Sequence, residues 1–435
     1  MNGILLTQNS TPIFKYIVWI LGKIMEGIFT VIDWIGIPNI GLAIILFTIV
    51  INLLMMPLTI KQQKFSKLSA KMSPELQAIQ NKYKNRKDQN SQMAMNNEMQ
   101  ALYAKYGVSP TGGCGYLLIQ MPILLALYRV IYAMPAYVKK IGDTFRILAA
   151  KVIATDGAEW LMNPTFADPE PTNSIANTVS MYGKSLLNGN LENGIVDVLN
   201  RLSSSDMALV AEHYNLSDLT FNGRLILSNG ATRGLIDTYN NFLGLNIGDS
   251  PQSLIVENFH NGAWLLLIGA LAIPVLSAVT QWINVKLMPQ QENPKDMDDQ
   301  TAQMQSTMKT MNMFMPLLSA WFCFTLPAGM GIYWVAGSVV RGIQQVLINK
   351  HIDKIDFNEI IEKNADKSAQ KMKKLKENQD KLNAYANMNA KKINKYANSA
   401  TDMNKDTDSE PKPSKAGSMM AKANMVSDYN KKHRT

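Results

Sequence analysis

The sequence predicts an all-α integral membrane protein: five transmembrane helices, an amphipathic interfacial helix and a cytoplasmic helical hairpin. Three observations predict this. Apolar runs recur along the chain at about 20 residues, the length an α-helix needs to cross roughly 30 Å of hydrocarbon. These runs are segregated from the charged residues rather than mixed with them. Lysines and arginines crowd beside some run ends and not others, the asymmetry that orients helices in a bilayer. The mean hydropathy of −0.06 resembles that of a soluble protein, but it averages apolar spans with a polar stretch at 350–435. The net charge of +9 is likewise concentrated beside the spans, where it suits an inner membrane face or acidic partners there.

Residues 1–38 form an N-terminal segment. Its first ten residues contain no Lys or Arg and no long apolar core, so a cleavable signal peptide is not expected. Within 13–36, Lys15, Trp19, Lys23, Glu26, Thr30 and Asp33 recur every three or four residues. Phe14, Ile17, Ile20, Leu21, Ile24, Ile28 and Ile35 take the opposite side. Ionisable groups on one stripe suit a bilayer boundary better than its interior, which predicts a helix lying on the surface, with a true span as the alternative.

Residues 39–136 hold the first two spans, 39–58 and 114–136, and between them a hairpin at 61–108. Phe65, Leu68, Met72, Leu76, Ile79 and Tyr83 recur at helical spacing, as do Met95, Met99, Leu102 and Tyr106; NRKDQNS between them is a polar turn. Residues 137–262 form an insert rich in Asn, Gly and Ser, with NPTFADPEPTNS as a loop and short helices expected near 174–187, 194–213 and 233–245. Residues 263–349 hold three spans, 263–283, 311–327 and 330–348, the last two turning around Leu326, Pro327, Ala328 and Gly329 and therefore antiparallel. Residues 350–435 are a basic tail, helical at first and disordered in composition after about 396.

Orientation follows from the basic residues. Lys61, Lys64, Lys67, Lys71, Lys82, Lys84, Arg86, Lys87 and Lys105 outnumber Glu75, Asp88 and Glu98 between the first two spans, which places the hairpin and tail in the cytoplasm and the N-terminus and the 137–262 insert outside. Lys139 and Lys140 pull mildly the other way.

Several chemistries lack their usual parts. Cys114 and Cys323 are in no metal-ligand spacing, H-E-x-x-H and G-x-S-x-G are absent, and no His lies within a span; neither enzymatic activity nor a cofactor or metal is expected. A solute channel or transporter is the competing class, and it normally offers inward ionisable groups or broken helices in matching repeats.

Four stretches carry a family resemblance: GLAIILFTIVINLLMMPLTIKQQKFSKL at 41–68, SPELQAIQNKYK at 73–84, GVSPTGGCGYLLIQMPILLALYRVI at 107–131, and MPLLSAWFCFTLPAGMGIYWVAGSVVRGIQQ at 315–345. Together, in this order, they resemble the core of YidC-type insertases, the family that includes mitochondrial oxidase-assembly and thylakoid Albino proteins. The resemblance covers about 13–136 and 262–350. It implies a chaperone-like helper that inserts and folds nascent membrane proteins in the lipid bilayer of the bacterial cell, through a polar groove open to cytoplasm and lipid and closed outside. It also implies the ribosome, through the basic tail, and the Sec translocon as partners. A wet groove shortens the apolar barrier that a polar segment crosses. The family's first core span usually carries an arginine; here the matching position is Asn52, which holds water but exerts no Coulomb pull. Asn52, Gln120, Gln281, Gln344 and Gln345 are the candidate polar groove residues, each glutamine being alternatively an interhelical packing contact. Trp334 resembles the family's groove aromatic or is an interfacial anchor. Arg129 and Arg341 are the charges available to replace the missing one, Arg341 being also placed to snorkel.

Overall fold

The computed structural model describes residues 14–84, 88–109, 112–162, 173–182, 191–230, 232–288, 299–359 and 361–364, with short helical stretches at 369–370, 373–374 and 377–378. The first residues of the chain, the tips of the polar turn and of the NPTFADPEPTNS loop, and the tail with its expected disorder after 396 lie outside the described residues. The chain divides into two units, 1–369 and 370–435; all that follows concerns the first.

Helix α1 (Phe14–Trp34) buries Val18, Leu21, Gly22, Met25, Phe29 and Ile32, a stripe at three- and four-residue spacing. Of the apolar side expected from sequence, Leu21 is buried and Phe14, Ile17, Ile24 and Ile28 pack on the core, while Ile20 and Ile35 are exposed and the buried stripe is rotated toward Val18, Met25 and Phe29. With apolar residues on most of its circumference, the hydrophobic pattern alone does not select one face of α1. Close approach does, and Gly22 lets the Tyr137 ring sit where a Cβ would come within 2.5 Å.

Asn39 starts α2 (Ile40–Leu54), its Oδ1 accepting from the Leu42 amide at 3.0 Å. The helix breaks before Pro57, which has no N–H to give to the preceding turn, and α3 (Met56–Tyr83) continues at 58° to it. α3 and α4 (Gln89–Tyr106) lie antiparallel around Met72, Leu102, Tyr106 and Val108, with Phe65, Leu68, Leu76 and Ile79 beside them. Asp88 caps the start of α4 through the Ser91 amide, and Gly107, at φ +65°, ends it in the left-handed region. Ion pairs Lys82–Glu98 (2.6 Å) and Lys105–Glu75 (2.8 Å) tie the ends of the pair. Against the opposing pull of partial burial, hydrogen bonds from Lys105 and Tyr106 hold the Glu75 carboxyl below its ordinary value. Burial, with Glu75 as acceptor, pushes the Tyr106 hydroxyl up to about 12.

α5 (Gly112–Tyr132) leads to the insert: α6 (Met134–Tyr137), α7 (Lys139–Asp156), α8 (Glu159–Met162), α9 (Asn173–Tyr182), α10 (Leu191–Leu199), α11 (Ser204–Tyr214), α12 (Leu235–Asn240) and α13 (Pro251–His260). The helix expected over 194–213 is two helices, because Ser203 leaves the helical path to cap α11, its Oγ accepting from the Asp206 amide. Two small antiparallel hairpins depart from the all-α expectation, β1 (Thr220–Phe221) with β2 (Arg224–Leu225) and β3 (Asn241–Phe242) with β4 (Leu245–Asn246). Asn222 and Gly223 both have positive φ, as a two-residue hairpin loop requires.

The insert and the spans share one hydrophobic core: Met25, Phe47, Val130, Leu148, Tyr239, Ile247 and Met330 belong to a single buried cluster. Asn39 Nδ2 donates to the Asn241 carbonyl at 2.6 Å, Lys140 pairs with Asp33 at 2.6 Å, and Arg201 lies 3.4 Å over the Tyr132 ring. Phe242 packs where a Cβ on Gly41 would come within 2.6 Å.

The last three helices are α14 (Trp264–Leu287), α15 (Asp299–Thr325) and α16 (Ala328–Ile352). α15 begins well before the apolar run expected at 311–327. Ser277 and Ser319 share a 2.7 Å hydrogen bond between α14 and α15, both buried, a polar tie of the kind that links helices in lipid. Pro327 starts α16 without a side-chain cap. The orphan amides of its first turn are met instead by the insert's backbone: Ala328 N–H donates to Asp249 O at 2.8 Å and Gly329 N–H to Ile247 O at 2.9 Å. Asp249 is itself held by the Ser204 amide (3.1 Å) and hydroxyl (2.6 Å); burial nonetheless raises its pKa above the ordinary carboxylate value.

Large apolar side chains face outward along these helices. Leu265 is 83% exposed, and Ile268, Val275 and Trp282 on α14, Met313, Leu317 and Trp321 on α15, and Ile343 and Leu347 on α16 are also exposed. In water such a belt is a severe liability; in a bilayer it is the solvated surface. Among the described helices α14 alone is long and apolar enough to cross a membrane, α2 with α3 qualifies as a bent pair, and the apolar parts of α5 and α15 that qualify are shorter, Gln120–Tyr132 and Met313–Thr325.

Candidate functional site

Between α2, α3, α5, α14 and α16 lies a cavity of about 310 Å³. The Pro57 bend opens it, because it turns α3 away from the axis of α2. Ile51 and Asn52 enter from α2, Met55 from the bend, Thr59 and Gln62 from α3, and Gln120, Ile123, Leu124 and Leu127 from α5. Gln281 and Asn284 enter from α14, with Met288 just beyond it, and Tyr333, Trp334, Arg341 and Gln345 from α16. On α16, Trp334, Arg341 and Gln345 are spaced by seven and four residues, that is by whole helical turns, and so share one face.

Four of the polar lining side chains, Gln281, Asn284, Arg341 and Gln345, join two hydrogen-bonded groups with residues behind the wall. In the first, buried Ser338 is a hub: its hydroxyl donates to Gln281 Oε1 at 3.3 Å and accepts from Arg341 Nη2 at 3.2 Å, and its carbonyl accepts from Asn284 Nδ2 at 2.9 Å. In the second, Gln63 Nε2 donates to Gln345 Oε1 at 2.5 Å and Gln345 Nε2 to the Leu287 carbonyl at 3.4 Å. Arg341 is the one charged residue lining the cavity, and among the described residues no carboxylate lies within ion-pair distance of it. A half-buried cation between apolar helices without a counter-charge is costly, and such groups mark functional positions.

Of the residues singled out from sequence, Asn52, Gln120, Gln281, Trp334 and Gln345 line this cavity. Asn52 Nδ2 bonds back to the Thr48 carbonyl at 2.7 Å, and Trp334 stacks on Phe322 with centroids 6.3 Å apart. Gln344 is not among the lining residues. It is buried, and its Nε2 donates to the Asn52 backbone carbonyl at 3.0 Å, joining α16 to α2. Arg129 is not a lining residue either and sits in the last turn of α5. Thr59, Gln62, Asn284 and Tyr333 escaped the sequence reading, although Asn284 lies one helical turn beyond Gln281 and Gln62 one turn beyond Thr59.

A larger cavity, about 510 Å³, lies wholly within residues 145–249, where Glu212, Asp218, Asp237 and Asp249 line it. None of the groove residues contribute to it, so it is a separate feature of the insert. Among the described residues no group of three or more His, Cys, Asp or Glu is placed to hold a metal.

These features define a helical membrane protein with a polar, singly charged cavity between lipid-facing helices. The chain belongs to the family described as 60Kd inner membrane protein, which residues 31–209 and 236–355 match. Among its relatives are membrane protein insertase MisCA of Bacillus subtilis, 43% identical over 117 residues that cover 27% of this chain and 43% of that protein. Membrane protein insertase YidC 1 of Halalkalibacterium halodurans is 47% identical over 103 residues, 24% of this chain and 38% of that protein. Membrane protein insertase YidC of Oceanobacillus iheyensis is 41% identical over 135 residues, 30% and 50% of the two chains. The alignments therefore span half or less of each relative's length.

Proposed function

We propose that this chain is a membrane protein insertase and chaperone: it receives nascent membrane proteins at the cavity, shelters a polar segment there, and releases the adjoining apolar segment into lipid. The observation that carries this reading is a polar cavity of about 310 Å³ with one uncompensated cation, set between helices whose outer surfaces are apolar. A hydrophilic segment crossing bare hydrocarbon pays the full loss of hydration; amides, hydroxyls and the water that such a cavity holds reduce that loss over part of the path. The work is done by solvation and charge rather than by covalent chemistry. Family membership and the names of the relatives support the same reading.

In this reading Asn52, Gln120, Gln281, Trp334 and Gln345 contact substrate and Gln344 holds the wall, while Arg341 supplies the positive charge that Asn52 lacks. The five spans comprise α2, α5, α14, the apolar part of α15, and α16, in a bacterial cell membrane. The N-terminus and insert face outward, and α3–α4 and the basic tail face the cytoplasm, where ribosome and Sec translocon are the candidate partners. Photo-crosslinkers at Gln120 and Trp334 are expected to capture nascent membrane proteins during synthesis, and the gene to restore growth of a bacterium depleted of its insertase. Crosslinks confined to lipid, with no rescue at normal protein levels, would refute the proposal.

A further inference from the structure

We infer that residues 353–359 and 361–364 act as a releasable strap that locks the α3–α4 pair to the end of α16 and thereby holds the cavity mouth in its observed shape. The geometry stands independently of the insertase reading; its consequence for insertion rests on that reading. Past α16 the chain turns back, and Phe357 is buried among Ile348, Ile352, Met56, Ile60 and Leu68. One helical turn later Ile361 packs on the separate apolar core between α3 and α4. Asp353 pairs with Lys67, Lys71 lies 5.2 Å from the centre of the Phe357 ring, and Asn364 covers Gly107 at the end of α4. The strap thus touches all three helices, α3, α4 and α16; α3 and α4 also share their own core and ion pairs, and besides the strap α3 meets α16 through the Gln63–Gln345 hydrogen bond.

Its seat also adjoins the cavity in sequence. Met56 and Ile60, which receive Phe357, alternate along the first turns of α3 with Met55, Thr59 and Gln62, which line the cavity. Moving Phe357 out of its seat therefore frees the same turns that shape the mouth. The lock is weak enough to open. Of its three apolar side chains only Phe357 is buried, Ile355 and Ile361 being partly so, and its ion pair involves an Asp353 side chain that is 66% exposed, so water and salt compete for it.

The test uses the full-length protein in proteoliposomes with Cys114→Ser and Cys323→Ser, and adds Lys67→Cys with Asp353→Cys. These two positions lie outside the cavity. A short bis-methanethiosulfonate bridge between them keeps the strap shut, and dithiothreitol reopens it. Bridging is expected to lower insertion at least fivefold and reduction to restore it; insertion at the unbridged rate while bridged would overturn the inference. In a second measurement, Phe357→Ala with Ile361→Ala is expected to speed amide exchange across 61–108 at least tenfold, with exchange in α14 unchanged. Unaltered exchange in 61–108 would overturn the strap itself. Failure of the unbridged protein to insert any substrate would instead refute the insertase reading and leave the exchange result to decide the strap.

Discussion

Arg341→Gln is the sharpest perturbation of the cavity, because it removes the charge and keeps a hydrogen-bonding amide. The size of the effect follows from the cavity. Taken as a sphere, a cavity of about 310 Å³ is roughly 8 Å across, so a carboxylate near its middle lies on the order of 8 Å from a guanidinium on the wall. At an effective dielectric constant near 20 two unit charges at that distance attract by about 2 kcal/mol. Arg341 is only half-buried, and solvent screening reduces this to about 1 kcal/mol, or roughly a fivefold change in rate. The assay is protease protection of three substrates that differ only in a translocated tail carrying two acidic, two neutral or two basic residues. Arg341→Gln is expected to slow the acidic tail about fivefold, leave the neutral tail within twofold and help the basic one; Arg341→Lys should retain most of the acidic-tail rate. Equal slowing of all three tails would show that Arg341 matters for the wall and not for its charge, and the electrostatic reasoning would fail.

Further expectations follow from the same structure. Asn52→Arg adds a second cation to a cavity that already contains one, so it should raise acidic-tail insertion by less than Arg341→Gln lowers it; a larger gain would mean that Arg341 does not reach the substrate. Gly41→Leu forces a side chain against Phe242, where even a Cβ meets ring carbon at 2.6 Å. It should cost about 1–3 kcal/mol, seen as a lower melting temperature in detergent, whereas Gly27→Leu, with open space around it, should cost much less. Because the Glu75 carboxyl is depressed in the folded protein, the stability it lends to α3–α4 is complete above its ordinary value and disappears as pH falls through the depressed one. Glu75→Gln should reduce that pH dependence, leaving the part due to Glu98, whose carboxyl the Lys82 hydrogen bond also holds low, and cost about 0.5 kcal/mol near neutrality, a small figure because the pair is solvent-exposed; proteolysis of 61–108 across pH reports it. Deleting residues 396–435 should leave insertion largely intact, and complete loss at normal protein levels would contradict that.

Much of this architecture is legible in the sequence, and particular residues show where legibility stops. The α3–α4 pair can be read because its apolar positions recur on one side of each helix and a polar turn separates them. The face of α1 is legible only in part: Phe14, Ile17, Leu21, Ile24 and Ile28 do pack on the core, but Ile20 is as apolar as Val18, Met25 and Phe29, and only contact with neighbours leaves it exposed while burying them. Asn222-Gly223 is a visible hairpin signal, yet the two-residue strands that flank it are too short to show alternation. In the cavity, Asn52, Gln120 and Gln281 stand out as amides inside apolar runs. Gln344 and Gln345 are adjacent and chemically identical, so their division between wall and cavity depends on the rotation of α16, a tertiary fact. Ser338 looks like any small helix residue until Gln281, Asn284 and Arg341 converge on it.

The junction between the insert and the last helix has an evolutionary corollary. Carbonyls of Ile247 and Asp249, not their side chains, receive the amides of Ala328 and Gly329, and every residue type brings a carbonyl. At that turn the side chains of residues 247 and 249 are accordingly not what the amides read, whereas the buried insert residues such as Leu148 and Tyr239, which share the core with the spans, are constrained in type. Swapping in an outer segment that retraces the path and keeps these buried apolar positions should preserve a working molecule where a shorter linker does not.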